Sequence, residues 1–479
     1  MEQLRGSFFI GGDWVEPASD RRFTLVDASS GEAIGTVPEG VEADIDAAVA
    51  AARKALHASG WADASPAERA SVIERFLAAL TARSEDIARS VSTQNGMPIA
   101  VSRALEGGFS LGLGQYYVDL ARSLGQPDIR PSQMGRETRV EHSPIGVVAA
   151  IIPWNFPVTL AISKIAPAMA AGCTMVIKPS PGTVLDSYIL AEAALEAGVP
   201  PGVLNWVAAD RDVGAYLIAH PGIDKVAFTG STAAGRAIAR TCGELLRPVT
   251  LELGGKSAAI LLDDVDLDAF IQGVPMASLL NNGQTCYLGT RILAPRRRYA
   301  EIVDALAGLA NSLVIGDALD PDTQLGPLAS SAHRDRVESY IAIGKNEARL
   351  VAGGGRPSHS NRGWFVQPTI FADVDNQARI AQEEIFGPVL AVIPHDGEED
   401  AIRIANDNPA GLGGSVWSAD SAHATDVARR IVTGTIGING YLPSVGAPFG
   451  GVKASGMGRE FGPEALNAYQ NTKSIYVMG

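Results

Sequence analysis

Cysteine is scarce in this chain: Cys173, Cys242 and Cys286 are the only three among 479 residues. They lie far apart in sequence and no histidine cluster stands beside them, so neither a disulfide framework nor a zinc site is expected. That usage suits a reducing compartment. Positive charge is also in short supply, with 39 Lys and Arg against 53 Asp and Glu and a formal net charge of −14. Nucleic acid and anionic membrane surfaces need a positive footprint, so neither is an expected partner. No apolar run approaches the roughly 18 residues that span a bilayer. Met1–Trp14 carries no basic segment followed by a long apolar one, the mark of a secretory signal. The expected place of the protein is the cytosol.

What is present describes a globular α/β protein, with 46% hydrophobic and 19% charged residues. A chain of this length exceeds one ordinary core, so two or more domains are expected. Short strands at 8–15, 24–27 and 35–37 read as an N-terminal cover. Apolar residues at helical spacing predict a helix over 42–58, and Ser65-Pro66-Ala67-Glu68 carries a capping box that opens a second helix to about 84. Further helix is predicted over 85–94 and 99–121, with a break at Met97-Pro98. The stretch 125–141 loses apolar periodicity and reads as an excursion from the domain.

From Gly146 the pattern turns to continuous apolar runs separated by helical segments. Strands are predicted at 146–152, 175–178, 203–207, 225–228 and 248–253, with helices at 158–171, 184–197, 212–219 and 233–242 between them. This alternation specifies a doubly wound parallel sheet, whose ligands bind beyond the carboxyl ends of the strands. Two loops fall there, Lys178-Pro179-Ser180-Pro181 and Phe228-Thr229-Gly230-Ser231. The second joins a glycine, a hydroxyl and a helix N-terminus, which suits a pyrophosphate, although it departs from G-x-G-x-x-G. A second alternation follows from 258, with helices from 267, at 298–313 and at 332–346, and strands near 290, 391, 415 and 436.

Cys286 sits in that second alternation, in the turn Gly283-Gln284-Thr285-Cys286. Alone it reads more readily as a small buried hydrophobe. Its company points to chemistry. Glu252 ends a β-branched run and precedes a glycine pair, an arrangement suited to a general base in a cleft. Asn155, in Ile151-Ile152-Pro153-Trp154-Asn155-Phe156-Pro157, offers an amide donor for an oxyanion. A thiolate that adds to an aldehyde gives a thiohemiacetal, whose hydride leaves only to an acceptor held against it. The expected site lies at the junction of the two domains.

These motifs, with Glu383-Glu384-Ile385-Phe386-Gly387-Pro388 and Pro448-Phe449-Gly450-Gly451 to Glu460, resemble the aldehyde dehydrogenase superfamily over essentially the whole chain. The resemblance implies a Rossmann-like cofactor domain (1–122 and 145–253), a catalytic α/β domain (254–460) and a small β oligomerisation flap (123–144 and 461–479). It implies a homodimer or homotetramer and hydrolytic release of a carboxylic acid. For catalysis it implies Cys286, Glu252 and Asn155, with the Cys286 backbone N–H as second oxyanion donor and Lys164 and Glu460 as a proton relay. For the cofactor it implies Ile151, Pro153, Trp154, Lys178, Ser180, Pro181, Gly230, Ser231, Leu253 and Gly254, together with Glu383 on the nicotinamide ribose and Phe386 beside the ring. For the substrate it implies Phe156, Leu160, Tyr287 and Phe449, with Ser163 where many relatives carry a bulky aromatic. No arginine is placed for a second carboxylate, so a neutral aldehyde of moderate or larger size is expected. Many relatives carry Glu at the position of Pro181, and its loss removes a repulsion toward a 2′-phosphate. NAD is the expected cofactor, with measurable activity on NADP. The alternatives are acyl transfer to coenzyme A, against which Glu252 argues, and a cofactor-binding structural protein without catalysis.

Overall fold

Five parallel strands form the centre of the first sheet, and their order follows from the connections. In the computed structural model, which describes residues 6–125, 128–358 and 362–478, Val147–Ile151 pairs with Thr174–Lys178 on one side and Lys225–Thr229 on the other. Leu204–Trp206 and Val249–Glu252 lie outside these. In chain order that is 3-2-1-4-5, two right-handed halves that diverge from the central strand. Val147–Ile151, Thr174–Lys178 and Lys225–Thr229 are buried along their whole length, which is why each reads as an unbroken run rather than an alternation. The N-terminal strands are more than a cover. Phe9 pairs with Trp206, so Phe8–Ile10 extends this sheet at its edge.

A helical layer covers one face. Pro66–Thr81 begins with the expected capping box: the Glu68 N–H donates to Ser65 Oγ at 3.3 Å and the Ser65 N–H to Glu68 Oε2 at 2.7 Å. The glycine-rich middle of the next segment does not interrupt it; Leu105–Phe109 winds as a π-helical turn between Ile99–Ala104 and Ser110–Ser123.

The second sheet is built on Ala258–Leu261, which lies between Arg291–Pro295 and Gly414–Trp417. Val389–His395 and Thr369–Ala372 extend it in parallel, and Arg349–Ala352 closes it as an antiparallel edge. A third sheet joins Asp128–Pro131, Glu137–Pro144 and Gln470–Val477, with Gln470 opposite Pro144 and Val477 opposite Glu137. This sheet begins at Gln470. The preceding helix Gly462–Asn467 belongs with the first core, because Ala465, Leu466 and Tyr469 are buried in it. Gly456–Met457 also returns to the first sheet, antiparallel to Leu251–Glu252. Residues 1–5, 126–127 and 479 of the expected segments lie outside the described residues.

Candidate active site

The turn that carries Cys286 is an unusual piece of backbone. Asn281, Asn282 and Gly283 are consecutive left-handed residues with φ of 51°, 59° and 78°. Asparagine tolerates that region better than most side chains, and here both amides hold it in place. Asn281 Nδ2 donates to the Asn155 carbonyl at 2.9 Å, while Asn282 Nδ2 donates to the carbonyls of Gly96 and Pro327 at 2.8 Å each. Gly283 admits no side chain, since a Cβ there would lie 2.2 Å from the Gly387 carbonyl. The thiol is thereby fixed against Asn155, whose Nδ2 donates to the Gln284 carbonyl at 3.0 Å. One N–H of that amide is used to orient it. The other remains for an oxyanion.

Two cavities meet at Cys286 and Asn155. The larger, about 780 Å³, is walled by Pro153, Trp154, Gly230, Ser231, Leu253, Gly254 and Phe386, with Glu252 also in its wall. It opens beyond the carboxyl ends of the central strands, between Val147–Ile151 and Lys225–Thr229, where the sheet order reverses. Ser231 caps the helix Thr232–Glu244, its Oγ accepting from the Ala234 N–H at 3.3 Å. The first turn of that helix therefore presents its N-terminal end to the cleft, a setting that suits an anion. A dinucleotide fits this wall on geometry: the switch point, the helix N-terminus and the Trp154 and Phe386 rings all border one cavity. Ile151 is buried behind it. Lys178, Ser180 and Pro181 stand at the end of the neighbouring strand, outside the cavity that holds the thiol. Lys178 Nζ donates to the carbonyls of Pro179 and Ala209, and burial lowers it to about 8.

The smaller cavity, about 570 Å³, is apolar: Leu105, Phe109, Phe156, Leu160, Phe449 and Phe461 form most of it, with Tyr287, Thr159, Leu442 and Pro443 completing the wall. Tyr287 stacks on Tyr441 with ring centres 4.5 Å apart. Phe156, Leu160, Tyr287 and Phe449 thus stand where expected. Leu105 and Phe109 were missed, although an apolar pair at i, i+4 flanking two glycines marks one helical face. Leu442, Pro443 and Phe461 come from loops without periodicity, and no local signal announces them.

Two expectations need correction. Glu383 does not face the cleft. It forms a bidentate pair with Arg379, 3.0 Å for each contact, and accepts from the Tyr340 hydroxyl at 2.7 Å. These partners hold its carboxyl below its usual range. Glu384 occupies the cavity instead, accepting the Gly255 N–H at 3.0 Å, and burial pushes it to about 7. Glu383 is extended, with φ −104° and ψ 144°, and adjacent residues of extended chain point to opposite sides. Ser163 does not line the substrate cavity either. Fully buried on the helix Pro157–Ala171, its Oγ lies 2.9 Å from Glu460 Oε2 and 2.9 Å from the Leu160 carbonyl.

Charge at the site is concentrated on buried acids. Glu252 is 2% exposed, and both its carboxylate oxygens lack a hydrogen-bond partner among the described residues. Burial first, and then Glu460, raise its carboxyl well above the usual range, while Lys164 and Arg459 oppose them. Lys164 Nζ lies 2.6 Å from Glu460 Oε1 and 2.8 Å from Thr229 Oγ1. Burial, followed by Glu384 and Glu252, pushes the Cys286 thiol up. A neutral thiol beside an unpartnered carboxyl is a nucleophile that needs its neighbour to take the proton. Among the described residues no group of three or more metal-ligating side chains occurs.

Comparison with known proteins agrees with this chemistry. The sequence model described as "Aldehyde dehydrogenase family" matches residues 14–475. A geranial dehydrogenase of Castellaniella defragrans is 60% identical over 471 residues, covering 98% of each chain. A phenylacetaldehyde dehydrogenase of Pseudomonas fluorescens is 36% identical, covering 99% of this chain and 96% of that one. Among solved structures, a Mycobacterium tuberculosis aldehyde dehydrogenase complexed with NAD+ superposes with a TM-score of 0.96 at 46% identity, covering 98% of both chains. Aldehyde dehydrogenase C of Pseudomonas syringae, a mutant complexed with NAD+ and octanal, gives 0.96 at 39% identity, over 99% of this chain and 97% of that one. The matched length, the fold and the placement of thiol, amide and buried carboxyl all lead to one assignment: the chain belongs to the aldehyde dehydrogenase family.

Proposed function

We propose that the protein oxidises a neutral, apolar aldehyde to its carboxylic acid with NAD, through a thioester on Cys286 that water hydrolyses. The observation that carries this reading is the meeting of two cavities at one thiol, one apolar and one at the switch point of a nucleotide-binding sheet. Cys286 Sγ adds to the carbonyl, and its proton passes to Glu252. The oxyanion is held by the free N–H of Asn155 and the backbone N–H of Cys286, and one such donor contributes about 3 kcal/mol to the barrier reduction. Trp154, Phe386 and Glu384 would hold the dinucleotide in the larger cavity, where it would supply the hydride acceptor. Glu252 gives the thiol proton up to solvent water, returns to the carboxylate, and then takes a proton from the hydrolytic water. A base without fixed hydrogen bonds is free to move between these two duties. That freedom favours hydrolysis over acyl transfer to coenzyme A.

For the substrate, the 570 Å³ cavity has no charged side chain in its wall. Its apolar lining suits a hydrocarbon chain, a class that includes the geranial of the 60% identical relative and the octanal of the Pseudomonas syringae complex. The three-stranded sheet exposes Ile129, Met134, Tyr476 and Met478, which supports assembly into a homodimer or homotetramer. Three unpaired cysteines support a cytosolic setting. The test is a panel of straight, branched and aromatic aldehydes assayed for NADH and acid without coenzyme A, with Cys286→Ala as control. A requirement for coenzyme A, or turnover by the alanine variant, overturns the reading.

A further inference from the structure

Among the described residues Ser163 is the one buried hydroxyl on Glu460, and its two contacts cannot both be donated hydrogen bonds at full strength. Its single proton faces two acceptors at 2.9 Å, Glu460 Oε2 and the Leu160 carbonyl. A hydroxyl also accepts. When Glu460 is ionised, Ser163 donates to it; when Glu460 is protonated, the acid O–H donates to Ser163 Oγ and the serine proton turns to the Leu160 carbonyl. Glu460 is 3% exposed. A buried acid that changes protonation without such a partner leaves a donor or an acceptor unsatisfied in one of its two states.

We infer that the Ser163 hydroxyl is a rotor that keeps Glu460 hydrogen-bonded in both protonation states, and so positions it to receive the proton of Glu252 during thioester hydrolysis. The inference rests on the reading of Glu460 and Lys164 as a relay. The proton balance is closed: water gives its proton to Glu252 as its oxygen bonds to the acyl carbon and the C–S bond breaks. Glu252 passes that proton to Glu460 Oε2 and returns to the carboxylate, and Glu460 releases it to solvent water after the acid has left. Lys164 stays bonded to Oε1 throughout. The other ionisable groups that act on or feel Glu460 are Glu252, Cys286, Lys225, Tyr117 and Tyr469, and none of them holds Oε2. Ser163 is a positioning residue: it lies outside the substrate wall and acts through Glu460.

The test uses the full-length enzyme with octanal and NAD. Rapid mixing reads the NADH burst, and acid quench with intact-protein mass spectrometry reads decay of the acyl adduct. Ser163→Ala is expected to keep the burst and thermal stability and to slow acyl decay about tenfold, with Ser163→Thr restoring most of it. Acyl decay at the wild-type rate in Ser163→Ala, with Glu460→Gln slow, overturns the rotor alone. Wild-type decay in Glu460→Gln overturns the relay and the rotor with it. Equal loss of burst and decay in Ser163→Ala, without rescue by threonine, makes the residue merely structural and also overturns the inference.

Discussion

Glu252 and Glu384 both press on the same thiol, yet their surroundings assign them different work. Glu252 has no fixed partner and is pushed up by burial and by Glu460. Its base form is lost as pH falls through that raised value, so the acidic limb of turnover lies above the ordinary carboxylate range. Glu460→Gln removes the neighbouring charge and is expected to move the limb to lower pH while lowering the plateau; a kcat–pH profile reads both. Glu252→Gln is expected to release roughly one equivalent of NADH and then stall, because hydrolysis depends on the base more than acylation does. Normal steady-state turnover in a stopped-flow trace overturns that assignment. Glu384 is tied to the Gly255 N–H and faces the cofactor cavity. Glu384→Gln is expected to raise the NAD Michaelis constant about tenfold, the scale of a buried charged hydrogen bond. Glu383→Gln removes only a surface pair, and its NAD Michaelis constant should match wild type. The sequence could not separate these neighbours, since both are glutamates in one motif and only the extended backbone at Glu383 decides which turns inward. Cys286, Glu252 and Asn155 could be singled out in the sequence because each stands in a local context of glycine or proline. Ser163 was misread because its partner lies almost 300 residues away.

At the scale of elements, the helix Pro157–Ala171 begins two residues after Asn155 and carries Lys164 together with Thr159 and Leu160 of the apolar cavity, and its start is set by an unexpected contact. Glu106, on the π-helical turn, accepts the Val158 N–H at 2.7 Å and the Thr159 N–H at 3.3 Å. The widened turn brings a fully buried carboxyl onto two N–H groups that a helix start leaves unpaired. Burial nonetheless raises Glu106 to about 7. Glu106→Ala strips that cap and is expected to cost about 1–3 kcal/mol, with a fall in kcat as Asn155 loses its footing; urea unfolding and steady-state kinetics measure the two. The sign of the pH effect follows from the raised value. Stability from the protonated Glu106 is complete below its unfolded pKa and is lost as pH rises through about 7. Relative to Glu106→Gln, wild type should therefore lose melting temperature as pH rises from about 5 to about 7 and level off above that. A parallel pair of curves counts against it. The five strands of the first sheet were legible because burial on both faces writes itself as a continuous apolar run. The π-turn was not, because its cause is the distant helix start it serves.

The whole molecule brings the question of cofactor choice. Pro181 follows the strand Thr174–Lys178 and places no carboxylate beside Lys178. Pro181→Glu is expected to shift the ratio of specificity constants toward NAD by several-fold, since one charge near the surface acts through about 1 kcal/mol after screening. No NADP turnover in wild type, with an unchanged ratio in the variant, removes the argument from this position. The two main sheets were legible from the two alternations of strand and helix. The path of the chain after Lys453 was not, because two-residue strands leave no pattern to read.

That late path has a mechanical consequence. Gly456–Met457 is pinned to Leu251–Glu252, the Leu253 N–H donates to the Ser455 carbonyl at 3.0 Å, and Ser455 Oγ donates to the Gly254 carbonyl at 2.8 Å. The segment that crosses between the two sheets is therefore riveted by the end of the chain at the very residues that carry the base. The two lobes cannot part like a hinge without tearing those bonds, so ligands must reach the thiol along the cavities rather than through an opening jaw. Heat should meet the same rivet, and calorimetry is expected to record both lobes melting as one event.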